Sequence, residues 1–395
     1  MALIIVIPIY LLINFYMIKR ILRWMELCHH FFKKRLFRYL FIGVYVFFAT
    51  SLLTAFFLPH GTLQRAMKHI SNYWLGTMLY GLLFLALGDL LVRLLKRTRW
   101  GVRNAIKSRI NIAVFGGLLI IFIASISLYG VYHATKIQTR GYQVSISKNC
   151  AGHSSLRVVL LADLHLGYNM GTRQLQRTVD KVNALDADIV LIAGDIFDND
   201  YDSLDDPDQI ARILKSMKSR YGTYATYGNH DIKEKILGGF TIGFRGTKSD
   251  SRMDALLEDA DVTLLQDESV LIDDAFYLVG RRDAHKPGTD DGSRAAIADL
   301  TSSLDQTKPI FVIDHEPSEL EKTADAGADL DFSGHTHDGQ MFPGNLTIHF
   351  FWSNPHGIEK VEQMYSIVTS GVGLWGPNMR VGTDSEVAYV DVTFS

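Results

Sequence analysis

The stretch LRVVLLADLHLG, residues 156–167, decides how the second half of this chain folds. It opens on a run of apolar and β-branched residues broken only by Arg157, which reads as a strand with both faces covered. Asp163 and His165 stand directly at its end. The same design recurs downstream. DIVLIAGD (188–195) ends in Gly194-Asp195, and the apolar run 222–227 leads into Gly228-Asn229-His230-Asp231. PIFVID (309–314) delivers His315, and the run 329–332 delivers Gly334-His335-Thr336-His337. Helical spacing fills the gaps at 173–185, 207–220, 253–260 and 293–304, and further strands are expected at 262–265, 269–272 and 276–279. Strands alternating with helices predict an α/β domain over 156–395. Residues 346–394 read as mostly β with Gly-rich turns.

In open α/β sheets, sites form beyond the carboxyl ends of strands. The clusters therefore converge on one crevice. Asp163 and His165, two apart in extended chain, point to one side and can grip one ion. Gly194 lets the backbone turn close to the metals, and Asp195, with two oxygens, is the natural bridge between two ions. Asn229 offers a carbonyl oxygen, while His335 and His337, either side of Thr336, can reach different ions. Oxygen and imidazole donors without thiolate suit Mn, Fe or Zn. Two such ions cleave phosphate esters with a metal-acidified water.

The order D-x-H, G-D, G-N-H-D, a lone H and G-H-T-H resembles the calcineurin-like metallophosphoesterase superfamily, over roughly 156–340. It is most similar to the bacterial membrane-attached branch, whose last motif runs on into Gly-Gln, as Gly339-Gln340 does here. The resemblance implies a metallophosphoesterase-type β-sandwich flanked by helices. It also implies a first ion on Asp163, His165, Asp195 and His337, and a second on Asp195, Asn229, His315 and His335. By the same resemblance His230 contacts the phosphate and assists the leaving group, with Asp231 holding its imidazole. Asp338 stands where that branch often has glycine and narrows the pocket without removing the metals.

The first part of the chain is of another kind. Of 395 residues, 48% are hydrophobic, and the mean hydropathy of +0.09 is high for a soluble protein. The excess lies in four runs, 2–18, 39–59, 70–88 and 110–132, each about long enough to cross a bilayer. A four-helix transmembrane domain over 1–135 is expected, then a connector or first edge strand over 136–155. Residues 1–136 carry 17 Lys and Arg against two acids, Glu26 and Asp89, whereas 137–395 carry 23 against 40. The basic residues gather in two loops, Lys19 to Arg38 and Arg93 to Arg109, and basic loops stay cytoplasmic. Both termini and the catalytic domain are therefore expected on the extracytoplasmic side. The pairing Asp89–Arg93, four apart, is expected on one helix face. Cys28 and Cys150 fall on opposite sides and cannot form a disulfide.

The expected partners are a phosphorylated, lipid-linked substrate and membrane lipids. An acidic catalytic domain lacks the basic footprint of a nucleic-acid binder. Two other readings stay open beside the phosphoesterase. One is a pyrophosphatase acting on UDP-2,3-diacylglucosamine, which the resemblance links to this branch. The other is a catalytically silent metal-binding scaffold, whose mark would be missing ligands. A transporter reading finds few intramembrane charges and no evident pair of interrupted helices. His153, His285, His349 and His356 read as surface or loop residues, Trp352 and Trp375 as packing or interface residues. Arg281, Arg282 and Asp283 follow a strand and are candidates for approaching a phosphate.

Overall fold

The structure is a computed structural model that describes residues 2–97, 108–234, 236–237, 240–241, 248–289 and 292–395. The basic residues Arg99, Arg103 and Lys107 lie outside the described residues. Two compact units emerge, Met1–Tyr132 with Gly376–Met379, and His133–Trp375 with Arg380–Ser395.

The first unit is built from α1 (Ala2–Cys28), α2 (Arg35–Phe57), α3 (Thr62–Leu95) and α4 (Arg109–His133). By length and composition α2, α3 and α4 can each cross a membrane. Their outward positions are apolar, with Leu36, Tyr39, Phe57, Leu118 and Ile121 all exposed, as hydrocarbon rather than water would require. Met17, Tyr45, Ala49 and Met78 knit α1, α2 and α3 together. Inside, Tyr45 donates to Asn14 Oδ1 at 3.0 Å. Asp89 does not use Arg93. It is ion-paired to Arg20 and accepts from the Tyr16 hydroxyl at 2.9 Å. Both partners come from α1, because a carboxylate among apolar helices takes the donors that face it across the interface.

The second unit is an α/β sandwich of two sheets. Its elements in order are β1 (Ile137–Ile146), β2 (Ser155–Leu161), α5 (Thr172–Asn183), β3 (Ile189–Ala193), α6 (Pro207–Lys215) and β4 (Thr223–Thr226). The short pair β5 (Ile236–Leu237) and β6 (Phe240–Thr241) follows, then α7 (Ser251–Asp259), β7 (Val262–Leu264), β8 (Glu268–Ile272) and β9 (Phe276–Gly280). After these come α8 (Ile297–Thr301), β10 (Ile310–Ile313), α9 (Leu320–Asp325), β11 (Leu330–Ser333), α10 (Gly344–Thr347), β12 (Gly357–Val361), β13 (Met364–Val368) and β14 (Ser385–Phe394). One sheet has the order β1-β14-β2-β3-β4-β7 and the other β12-β13-β11-β10-β9-β8. In the first sheet β2, β3, β4 and β7 run parallel with β14 antiparallel to β2, and in the second β9, β10, β11 and β13 run parallel.

Continuous apolar strands are what this architecture needs. Val158, Leu160, Ile189 and Leu191 meet Phe311, Ile313, Leu330 and Phe332 between the sheets. The alternate residues Val159, Leu161, Val190 and Ile192 pack on α5, α6 and α7, while Val279, Ile310 and Val312 lie against α8 and α9. Within the stretch 136–155, Ile137–Ile146 forms the edge strand β1, which pairs with β14 in parallel register over its whole length.

Two helices are shorter than expected, each for a tertiary reason. α6 stops at Lys215 because Ser219 bridges back to Ala187 and the Lys218 amide bonds Asn183 Oδ1 at 2.7 Å. α8 starts only at Ile297. Before it, the Ala295 amide bonds Asp267 Oδ2 at 2.9 Å, and the Arg294 guanidinium bonds Asp314 and Glu319.

Candidate metal centre

Five strand ends, those of β2, β3, β4, β10 and β11, carry the seven expected donors to one place. The loops tie one another together. Asp231 takes no part in holding the His230 ring. Its carboxylate accepts the amides of Gly228 (2.7 Å), Phe197 (2.8 Å) and Ile196 (3.3 Å). It thereby clips the loop after β3 to the loop after β4. Asp163 accepts the His335 amide on both oxygens, at 3.1 and 3.0 Å, and Asp195 Oδ1 accepts the His230 amide at 2.7 Å. Gly194, at φ +75°, is required by crowding, since a β-carbon there would meet His315 Nδ1 at 2.6 Å and the Gly228 nitrogen at 2.8 Å.

The backbone corrects one expectation. Asp163, His165, Asp195, His335, His337 and Asp338 all have φ between 45° and 70°. The D-x-H and H-T-H segments are thus not extended. They turn through the left-handed region, and this turn brings their side chains together.

Donor atoms of Asp163, His165 and His337 lie within 4.8 Å of one another, as do those of Asp163, Asp195 and His315. Asp163 therefore serves both groups. Asp195 Oδ2 faces both sides, 3.7 Å from His165 Nε2 and 3.3 Å from His315 Nε2. His335 Nδ1 lies 2.9 Å from Asn229 Oδ1 and 3.1 Å from His315 Nε2. His165 Nε2 and His337 Nε2 are 3.1 Å apart.

These contacts test whether the residues fit a metal. His315 Nδ1 lies 2.9 Å from the Ala193 carbonyl oxygen, which can only accept, so Nδ1 carries a proton and Nε2 is the nitrogen presented inward. There it faces Asp195, Asn229 Oδ1 (3.2 Å) and His335. Ligand atoms converging in a buried site fit a cation, and the carbonyl behind His315 is the usual backing for a metal-binding imidazole.

The electrostatics divide the imidazoles: burial lowers His315 and His165, but the carboxylates beside them, Asp195 at His315 and Asp198 with Asp195 at His165, outweigh it and raise both above the usual range, a positive charge that a bound cation would replace. Burial would raise Asp195, but the imidazoles of His315, His230 and His165 hold it well below the usual carboxylate range. Burial and the Asp195 charge push Asp163 up to about 6. Burial and the neighbouring His315 push His335 down to about 3. His337 is also lowered, by burial and then by His165 and Arg380. His335 and His337 are thus neutral imidazoles at physiological pH, the form that ligates.

Two residues escaped the sequence reading. Asp198 Oδ1 lies 3.6 Å from His165 Nδ1 and 3.5 Å from His230 Nδ1, so Asp198 stands beside the ring where Asp231 was expected. Its place three residues after Asp195 was the available signal. Arg380 is fully buried and donates to the carbonyls of Ser370 (2.7 Å), Gly371 (3.1 Å) and Gly373 (3.0 Å), with His337 Nδ1 3.4 Å away. Nothing local in the sequence marks it.

Arg281, expected near a phosphate, is instead buried and ion-paired to Asp314 (3.0 Å) and Glu319 (3.2 Å). The Asp283 carboxylate caps the amides of His285 and Lys286, and Arg282 donates its amide to Asp267. His153, His285 and His356 pair with Asp273, Glu316 and Glu386. Asp338 is half-buried beside His356. The Trp352 ring packs 5.2 Å from that of His335, and Trp375 lies 6.5 Å from His230.

Residues 156–339 match the calcineurin-like phosphoesterase family. The chain carries a calcineurin-like metallophosphoesterase domain. An uncharacterized metallophosphoesterase of Campylobacter jejuni is 27% identical over 98% of this chain and 97% of its own length. A Danio rerio transmembrane protein with metallophosphoesterase domain is 28% identical over 69% of this chain, which spans 61% of that relative. The UDP-2,3-diacylglucosamine pyrophosphatase of Chlamydia trachomatis is 23% identical over 50% of this chain and 68% of its own length. The metallophosphoesterase domain thus follows three helices long and apolar enough to cross a membrane, and the Danio rerio relative is named for a transmembrane protein with that domain.

Proposed function

We propose that this chain is a membrane-anchored phosphoric ester hydrolase. In this reading Asp163, His165, Asp195 and His337 hold one metal ion, and Asp195, Asn229, His315 and His335 hold a second, each Mn, Fe or Zn. The observation that carries the reading is the inward-facing His315 Nε2, ringed by Asp195 Oδ2, Asn229 Oδ1 and His335 Nδ1. Ions bound there would polarise a phosphoryl oxygen and acidify the attacking water. The chain's own residues do the rest. Asp195 sets the spacing of the two groups, and the Asp231 clip fixes the loops that present them. His230, steadied through Nδ1 by Asp198, gives a proton to the leaving oxygen.

The basic loops favour an extracytoplasmic catalytic domain, with four helices as anchor. The substrate is then a phosphodiester or lipid-linked phosphate of the envelope, and membrane tethering raises the local concentration of such a substrate. The 23% identical Chlamydia relative supports a second reading, a pyrophosphatase acting on UDP-2,3-diacylglucosamine. The complete donor set speaks against a silent scaffold. Full-length protein reconstituted with each metal and offered phosphomonoesters, phosphodiesters, nucleotide sugars and lipid phosphates tests the reading. Hydrolysis of none of them by metal-loaded protein would overturn it.

A further inference from the structure

The segment 341–351, MFPGNLTIHFF, leaves the metal centre and returns to it. At its start the Gln340 side chain bonds both the amide and the carbonyl of Trp375, each at 2.9 Å, and the Phe342 amide bonds the Val381 carbonyl at 2.8 Å. At its end Trp352 packs on His335. Between these anchors Phe350 is 84% exposed, Phe351 77% and Leu346 59%. Among described residues after His133, seven large hydrophobic side chains are exposed, and five of them are Phe342, Leu346, Phe350, Phe351 and the adjoining Trp375. The segment has no Lys, Arg, Asp or Glu, in a unit that is otherwise acidic. A concentrated apolar patch on such a surface marks a place of contact.

We propose that this loop enters the interfacial layer of the bilayer and delivers a phosphate borne on a hydrocarbon anchor to the metal centre. The occupant follows from the chain itself. Only three residues separate the end of α4 (His133) from the start of β1 (Ile137), a link of about 10 Å at full extension. The domain therefore works within reach of the membrane that its helices cross. Neutral Phe, Leu and Trp side chains suit the boundary of acyl chains and headgroups, and carry no charge with which to select a polar partner. The delivery half of the proposal rests on the phosphoesterase reading, whereas the docking half does not.

The test uses the full chain in phospholipid vesicles. A spin label is placed at Phe350→Cys or Phe351→Cys, with Ser303→Cys on an exposed polar loop as control. Cys28 is replaced by Ser, and Cys150 stays because it is fully buried. Labels at 350 and 351 should be relaxed more by oxygen than by a water-soluble nickel chelate, with the order reversed at 303. Water accessibility at 350 equal to that at 303 overturns the docking, as does spin–spin broadening that shows a second copy of the chain on the patch. For delivery, Phe350→Ser/Phe351→Ser should lower turnover of a hexadecyl nitrophenyl phosphodiester in vesicles by about tenfold, equivalent to ~1.4 kcal/mol. Turnover of soluble bis-nitrophenyl phosphate should stay unchanged. Equal effects on both substrates overturn delivery. If the wild type cleaves neither, the phosphoesterase reading fails and delivery fails with it, while the oxygen measurement still decides the docking.

Discussion

Asp198 offers the sharpest test of how the centre is held. One oxygen, Oδ1, lies between His165 Nδ1 at 3.6 Å and His230 Nδ1 at 3.5 Å, ion-pair distances beyond a close hydrogen bond, and neither buried ring nitrogen has a hydrogen-bond partner among the described residues. Burial raises the Asp198 pKa, but the two imidazoles outweigh it and hold the group below the usual carboxylate range. Asp198 is therefore anionic whenever the protein is folded near neutrality. Losing the partner behind a metal-binding histidine typically lowers metal affinity or activity by about 10–100-fold. Asp198→Ala removes the contact to both rings and should reach that range in kcat and in affinity for the ion on His165. Asp198→Asn keeps a neutral acceptor in the same place. A neutral hydrogen bond is worth roughly half a charge-assisted one, so the loss should shrink to about 3–10-fold. The assay is chelator competition for metal affinity together with turnover of a chromogenic diester by full-length protein. If Asp198→Ala stays within about twofold of wild type in both, the assignment of Asp198 as positioning residue is wrong.

Four further outcomes follow from particular contacts. Asp195→Ala should abolish turnover and lower metal content, as chelation should, because both groups of donors lean on its Oδ2; wild-type-like turnover would refute the metal assignment. Gly194→Ala places a β-carbon against His315 and Gly228, so metal content should fall even in protein that still folds, as elemental analysis would show. Asp331, buried and beside Asp314, has its pKa pushed up to about 7, against ~3.9 in the unfolded chain. Between those values the unfolded chain has released the proton that the folded one retains, so stability declines as pH rises through this window, by ~1.4 kcal/mol per unit, and levels off above about 7. Asp331→Asn keeps an acceptor for the Ser333 hydroxyl and should raise the melting temperature at about pH 8 but not at about pH 4. For sidedness, Ser303→Cys should react with an impermeant maleimide on spheroplasts while Cys28 does not, and the reverse pattern would place the domain in the cytoplasm.

The sandwich was legible because parallel strands covered on both faces read as unbroken apolar runs. Strand ends at Leu161, Ala193, Thr226, Ile313 and Ser333 fall within a residue or two of where the runs stop. Helix ends were less legible, since a helix can stop for reasons far away in sequence. α6 ends where Ser219 joins Ala187, and α8 waits until Asp267 and Asp314 have taken the residues before it. The partner of Asp89 was hidden for the same reason. Spacing within α3 shows Arg93, but only packing shows Arg20 and Tyr16. No periodicity carries such contacts.

At the centre itself the donors were readable and their conformation was not. Six non-glycine residues there sit in the left-handed region, where L-residues cost on the order of 1 kcal/mol each. His and Asp tolerate this region better than most residues, so the residue types that ligate a metal are also among those that can be bent toward it. The fold stabilises the bends with specific bonds. The His335 amide rests on Asp163, the His230 amide on Asp195, and three further amides on Asp231. Such strain, with ligand atoms facing one another, breaks local rules in one small volume while the strands feeding it obey them. That concentration is the expected mark of a functional site. It also explains why the Asp231 carboxylate bonds amides and not the His230 ring. Next to a histidine in sequence it reads as that histidine's partner, but the backbone turn spends its carboxylate on amides, and Asp198 from the loop after β3 stands beside the ring instead.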